Sequence, residues 1–170
     1  MKIIQITDTH LVPDRGEMHG VNPYARLYAC VEDIAVNHAD AELCVITGDL
    51  AHKGELSAYG DLAKILTRLP IPYQLMVGNH DHRENLLTTF PDTPTDENGF
   101  IQSIIDLDAG RLIFLDTVES GEKFGGFCQQ RADWLTAQLK SSDGRAVYLF
   151  LHHPPFKIGM PNVDNMRLLQ

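Results

Sequence analysis

Basic side chains are scarce in this chain: 14 Lys and Arg stand against 23 Asp and Glu, a formal net charge of −9. A protein that grips long nucleic acid must neutralise its phosphates with clustered Lys and Arg, so the composition argues against that partner. Long apolar runs are missing too. No segment approaches the ~20 continuous apolar residues of a membrane-spanning helix. The chain starts Met1-Lys2-Ile3-Ile4, with no secretory apolar core or cleavage site ahead of strand-like sequence. These absences predict a cytoplasmic protein with no membrane partner. Cysteine is sparse: Cys30, Cys44 and Cys128 are odd in number, widely spaced and without a Cys-x-x-Cys pair, so they are expected to be free thiols acting as small hydrophobes. There is no internal repeat and no low-complexity segment.

What is present is enough for one domain with a real core: 170 residues, 44% of them hydrophobic. Buried strands are predicted at residues 2–7, 43–47, 73–77 and 147–151. Residues 8–22 read as a loop rich in Pro, Gly and charge. Helical spacing of apolar residues predicts a helix over 23–38 (Leu27, Cys30, Val31, Ile34, Ala35), with Pro23 in its first turn. A second helix over 55–68 carries Leu56, Tyr59, Leu62, Ala63 and Leu66 on one face and ends before Pro70 and Pro72. A short helix follows at 83–90, then a surface loop at 91–99. A hairpin is predicted at 101–106 and 111–115 around Ala109-Gly110, then a helix at 128–139 with Trp134, Leu135 and Leu139 inward. Residues 165–170 read as the start of another helix. Strand–helix alternation followed by a hairpin implies an α/β domain with a largely parallel first sheet and a second sheet stacked on it.

Four of the strands end on polar segments rich in metal-ligand side chains: Asp8-Thr9-His10, Gly48-Asp49, Gly78-Asn79-His80-Asp81 and His152-His153-Pro154-Pro155. Each alone has an ordinary structural reading, a turn, a cap or a strand end. Together they are harder to explain that way, because ligands of open α/β sheets bind at the carboxyl ends of strands. Oxygen and imidazole donors of this kind suit Mn, Fe or Zn. Two metal ions in close proximity clamp the oxygens of a phosphoryl transfer, and they need a bridging anion. Asp49, after the flexible Gly48, is the candidate bridge. Asp8 and His10 lie two apart and share a face of an extended chain, so they are expected to hold one ion. Asn79 and His152 offer an amide oxygen and an imidazole for the second.

The ordered set Asp-x-His, Gly-Asp, Gly-Asn-His-Asp and His-His-Pro-Pro resembles the calcineurin-like metallophosphoesterase family, in particular its bacterial cyclic-nucleotide and glycerophosphodiester phosphodiesterases. Thr7-Asp8-Thr9-His10-Leu11, Gly48-Asp49-Leu50 with Gly54 and Tyr59, and Trp134-Leu135 add to the likeness. The resemblance implies an αββα sandwich with two divalent ions, Fe, Mn or Zn. It implies Asp8, His10 and Asp49 as ligands of the first ion and Asp49, Asn79 and His152 as ligands of the second. His152 is favoured over His153, which is then expected to hydrogen-bond within the fold. It implies that a hydroxide bridging the ions attacks a small phosphodiester such as 3',5'-cAMP or a glycerophosphodiester. His80 would approach the phosphate and protonate the leaving oxygen, with Asp81 orienting it. Asn79, His80, His52 and His19 are the candidate substrate contacts. The family's further Gly-His-x-His segment is absent from these residues, and His19, His38, His52 and His82 do not supply it. The expectation is therefore that residues 1–170 are the N-terminal portion of the domain, with each ion one ligand short. Alternatives left open are a phosphomonoesterase of the same family, a metal-free binding or scaffold protein, and a single-metal hydrolase of esters or amides. The oligomeric state is also open, a homo-oligomer included.

Overall fold

The computed structural model describes residues 1–169. The chain forms two compact units: Met1–Leu75 with His80–Thr93, and Met76–Asn79 with the chain from Pro94 on. Each contains a three-stranded sheet and helices, so the α/β class read from the sequence holds.

In the first unit, β1 (Ile3–Ile6), β2 (Leu43–Ile46) and β3 (Tyr73–Leu75) form a parallel sheet in that order. Every residue of β2 is buried. A central parallel strand has no solvent face, which is why Leu-Cys-Val-Ile reads as an unbroken apolar run. Helix α1 (Pro23–Asn37) starts where the Asn22 side chain accepts a hydrogen bond from the Ala25 amide at 2.8 Å, with Pro23 in the first turn. It buries Leu27, Val31 and Ile34, each contributing roughly 1.5–3 kcal/mol of burial. Helix α2 (Leu56–Leu66) buries Ala58, Tyr59, Leu62, Ile65 and Leu66. Leu56 was expected on that face. It sits in the first turn and is 49% exposed. Helix α3 (Arg83–Thr89) completes the unit.

In the second unit, β4 (Ser103–Leu107) and β5 (Gly110–Leu115) form the expected hairpin, and β6 (Val147–Leu151) pairs in parallel with β5. Helix α4 (Gln129–Lys140) departs from expectation. Trp134 and Leu135 are only half-buried, Leu139 is 42% exposed, and the buried residue is Arg131. Its guanidinium donates to the carbonyls of Asp116 (3.2 Å) and Val118 (3.1 Å) and to Glu119 (3.2 Å), and lies 4.7 Å from the Phe100 ring. Charge-assisted bonds, rather than a leucine stripe, dock this helix. The helix predicted at 165–170 is absent from the described residues. A short α5 lies earlier, at Pro161–Asp164, and Leu168 forms a β-bridge with Gly125. Gln170 lies outside the described residues. No helix among the described residues is long and apolar enough to cross a membrane.

Candidate metal centre

The predicted ligands of the first unit sit where the β1–β2 ladder runs past its strand ends. The Asp8 amide donates to the Gly48 carbonyl (3.1 Å), His10 to Asp49 (2.8 Å), Leu11 to Leu50 (2.9 Å) and His52 to Leu11 (2.9 Å). The Thr9 hydroxyl also donates to the Leu50 carbonyl at 2.8 Å. Two turns that look independent in the sequence are therefore laced together.

The lacing needs unusual backbone. Asp8, His10 and Asp49 have φ of 54°, 42° and 53°, the left-handed region that non-glycine residues seldom occupy. Each such residue holds about 1 kcal/mol or more of strain. The result is that His10 Nε2 lies 3.4 Å from Asp49 Oδ2 and 3.7 Å from Asp8 Oδ1. Its ring's hydrogen bond to the Asp8 carboxylate raises the His10 pKa, burial opposes the rise, and the Asp49 charge adds to it. Two carboxylates aimed at one imidazole repel unless a cation lies among them. His10 Nδ1 is buried without a hydrogen-bond partner. This mixed oxygen and nitrogen donor set fits a divalent transition metal.

His80 enters from the segment after β3. Its amide donates to Asp49 Oδ1 at 3.0 Å, which ties the acid to the His80 turn. Its ring Nδ1 lies 2.7 Å from the His52 carbonyl. A carbonyl only accepts, so Nδ1 carries the proton and Nε2 is left for chemistry. The orienting bond expected from Asp81 therefore comes from the His52 backbone instead. Asp81 accepts from the amides of Leu50 (3.0 Å) and Ala51 (3.1 Å) and from the buried Tyr59 hydroxyl (3.0 Å). It braces the turn that carries Asp49.

His52 is half-buried, and burial with its neighbouring imidazoles lowers its pKa. Its ring lies 5.2 Å from His80 and 5.6 Å from His10, and His10 lies 4.8 Å from His80. His19 is exposed on a two-residue turn with Gly20, φ 51° and 75°, closed by hydrogen bonds between Met18 and Val21. Nothing links it to the other candidates among the described contacts. A cavity of about 350 Å³ lies beside Asp8 and His10, lined by Met18, Val21, Arg26 and Leu27.

Asn79 and His152 belong to the second unit. Asn79 is half-buried in the turn before His80. His152 follows β6, half-buried, with its ring 4.9 Å from that of His153. His153 is buried, and its Nδ1 lies 2.8 Å from the Thr117 hydroxyl. Sequence reasoning missed the roles of the His52 carbonyl and of Tyr59 as a brace, because a backbone acceptor has no residue signature.

The calcineurin-like phosphoesterase family matches this chain over residues 1–169. A Rhodopseudomonas palustris protein named "Probable cyclic nucleotide phosphodiesterase" is 40% identical over 99% of this chain and 62% of its own length. An Arcobacter nitrofigilis protein named "Probable glycerophosphodiester phosphodiesterase" is 32% identical, again over 99% of this chain and 62% of its own. The chain thus spans less than two thirds of these relatives. A solved purple acid phosphatase from yellow lupin seeds superposes with a TM-score of 0.61 at 13% identity, covering 89% of this chain and 30% of that one. That likeness concerns the fold alone.

Proposed function

Because the chain belongs to the calcineurin-like phosphoesterase family, we propose that it hydrolyses a phosphodiester bond of a small substrate, a cyclic nucleotide such as 3',5'-cAMP or a glycerophosphodiester, with the help of two divalent metal ions. The observation that carries the reading is the convergence of Asp8, His10 and Asp49, in left-handed backbone held by the continued β1–β2 ladder, with His80, whose amide donates to Asp49. The names of the similar proteins support the substrate class. The family match supports treating residues 1–170 as belonging to one metallophosphoesterase domain.

In this proposal Asp8, His10 and Asp49 are ligands of the first ion. Asp49, Asn79 and His152 are ligands of the second, an assignment that rests on their place in the family's sequence pattern. Bound divalent ions supply Lewis acidity and offset the negative charge of a phosphate. The protein's own part is positional. Asp49 is locked by the His80 amide, which preserves its aim during turnover. The His52 carbonyl holds the Nδ1–H of His80, so Nε2 is the atom that faces the phosphoryl group, and it hands a proton to the leaving oxygen only from the imidazolium, in which both ring nitrogens carry one. Asp81 and Tyr59 keep the Asp49 turn in place. Net charge −9 favours a small substrate over long nucleic acid, and three free thiols favour a cytoplasmic setting.

The test is turnover of bis(p-nitrophenyl) phosphate by the chain supplied with Mn²⁺, against Asp49→Ala and Asn79→Ala. Loss of about a hundredfold or more in kcat/KM is expected for each, of order 3 kcal/mol in the barrier. Turnover that survives in either variant with metal still bound refutes the assignment.

A further inference from the structure

We propose that His10, His52 and His80 form a tris-imidazole site for Zn²⁺ or Co²⁺, distinct from the mixed carboxylate–imidazole sets assigned above and sharing only His10 with them. One ring nitrogen from each of the three histidines lies within 4.8 Å of one from each of the others. All three rings are in the first unit, and all are half-buried.

The ring spacing matches what such an ion requires. Zinc binds imidazole nitrogen at about 2.0–2.1 Å, so each ring centre lies about 3.2 Å from the ion and tetrahedral ligands place ring centres about 5.2 Å apart. The observed separations are 4.8, 5.2 and 5.6 Å.

The hydrogen bonding points the same way. Metal-ligating histidines commonly donate their other ring N–H to a backbone carbonyl, which fixes the tautomer. His80 does this to His52. His10 Nδ1 and His52 Nδ1 are both buried and have no hydrogen-bond partner. Two orphaned buried imidazole nitrogens cost free energy as they stand, and a cation within the triangle would relieve both.

All-nitrogen donors select Zn²⁺, Co²⁺ or Cu²⁺ over Mn²⁺ and Mg²⁺, which want oxygen. Three protein ligands leave a fourth position for water. An ion here would occupy His80 and put a second positive charge on the His10 ring, whose Nε2 faces Asp8 and Asp49. On the catalytic reading above, that makes it an inhibitory site. The metal-binding claim itself does not depend on that reading.

The experiment is a titration of the metal-stripped 170-residue chain with Zn²⁺ alone, followed by the carbon-bound proton resonances of the histidine rings. The first equivalents are expected to move the signals of His10, His52 and His80, and His52→Gln is expected to weaken the corresponding Co²⁺ binding tenfold or more, read from the visible absorption of the bound ion. If the Gln variant does not fold, zinc-edge anomalous scattering from crystals of the wild-type chain soaked in Zn²⁺ reads the same claim, with a peak expected among the three rings. Unmoved His52 resonances, Co²⁺ affinity within twofold in His52→Gln, or no anomalous peak at the triangle would each overturn the site. A chain inert on phosphodiesters that still shifts all three rings keeps this site and removes the catalytic reading. An active chain whose His52 ignores zinc does the reverse.

Discussion

Tyr59→Phe removes one oxygen from the interior and should disturb the whole candidate centre. The Tyr59 side chain is fully buried. Its hydroxyl donates to Asp81 at 3.0 Å and accepts from the His82 amide at 2.9 Å. The first is a bond to a charged group, worth about 1.5–3 kcal/mol, and the second leaves an amide without its partner, about 1 kcal/mol more. The sum is roughly 2–4 kcal/mol. At about 2–4 °C per kcal/mol for a chain of this size, Tm should fall by on the order of 10 °C. The assay is urea unfolding with the slope m held constant between variants. Asp81→Ala removes the acceptor of the Leu50, Ala51 and Tyr59 bonds together, so it should be the more damaging change. The double variant should fall short of additivity by about 1 kcal/mol or more, because both lose the same bond. A Tyr59→Phe chain within about 0.5 kcal/mol of wild type, or strict additivity in the double variant, refutes the claim that this pair braces the Asp49 turn.

Gly54→Ala should destabilise by roughly 2–4 kcal/mol in the same assay, since Gly54 has φ +63° and an added Cβ would lie 2.7 Å from His82 Cβ and 2.8 Å from its amide nitrogen. Thiol labelling at pH 8, read by mass spectrometry, should be ordered. Cys128 should react first, because burial is outweighed by hydrogen bonds from Arg131 and its thiol pKa is lowered. Cys30, raised by burial and by Asp33, should follow. Cys44 should wait for unfolding. Burial pushes the Cys44 thiol from 9.0 up to about 12. Below 9.0 both folded and unfolded chains keep that proton and its contribution is intact. Between 9.0 and about 12 only the unfolded chain ionises, so stability should fall by up to about 1.4 kcal/mol per pH unit. Cys44→Ala should lack that part of the slope in alkaline urea titrations.

Much of the fold was legible because local physics dictates it. The all-apolar Leu43–Ile46 run is buried on both faces as a central parallel strand must be, and Pro23 marks the first turn of α1. Errors came where a local pattern was ambiguous. Leu139 carries helical spacing on α4 yet stays exposed, because Arg131 found buried carbonyls to hold. Leu56 shares the stripe of α2 but lies in its first turn, where there is little to cover it.

The residues themselves supplied the candidate metal ligands, since carboxylates, an amide and imidazoles gather after successive apolar strands. Folding decided what their order along the chain does not contain. The β1–β2 ladder drives Asp8, His10 and Asp49 into left-handed turns, and a strained φ depends on hydrogen bonds some forty residues away. It also assigned the His80 tautomer to the His52 carbonyl and left Asp81 to Tyr59 and the Leu50 amide. Backbone acceptors and ring orientations are distances between distant segments, and such distances exist only once the chain has closed on itself.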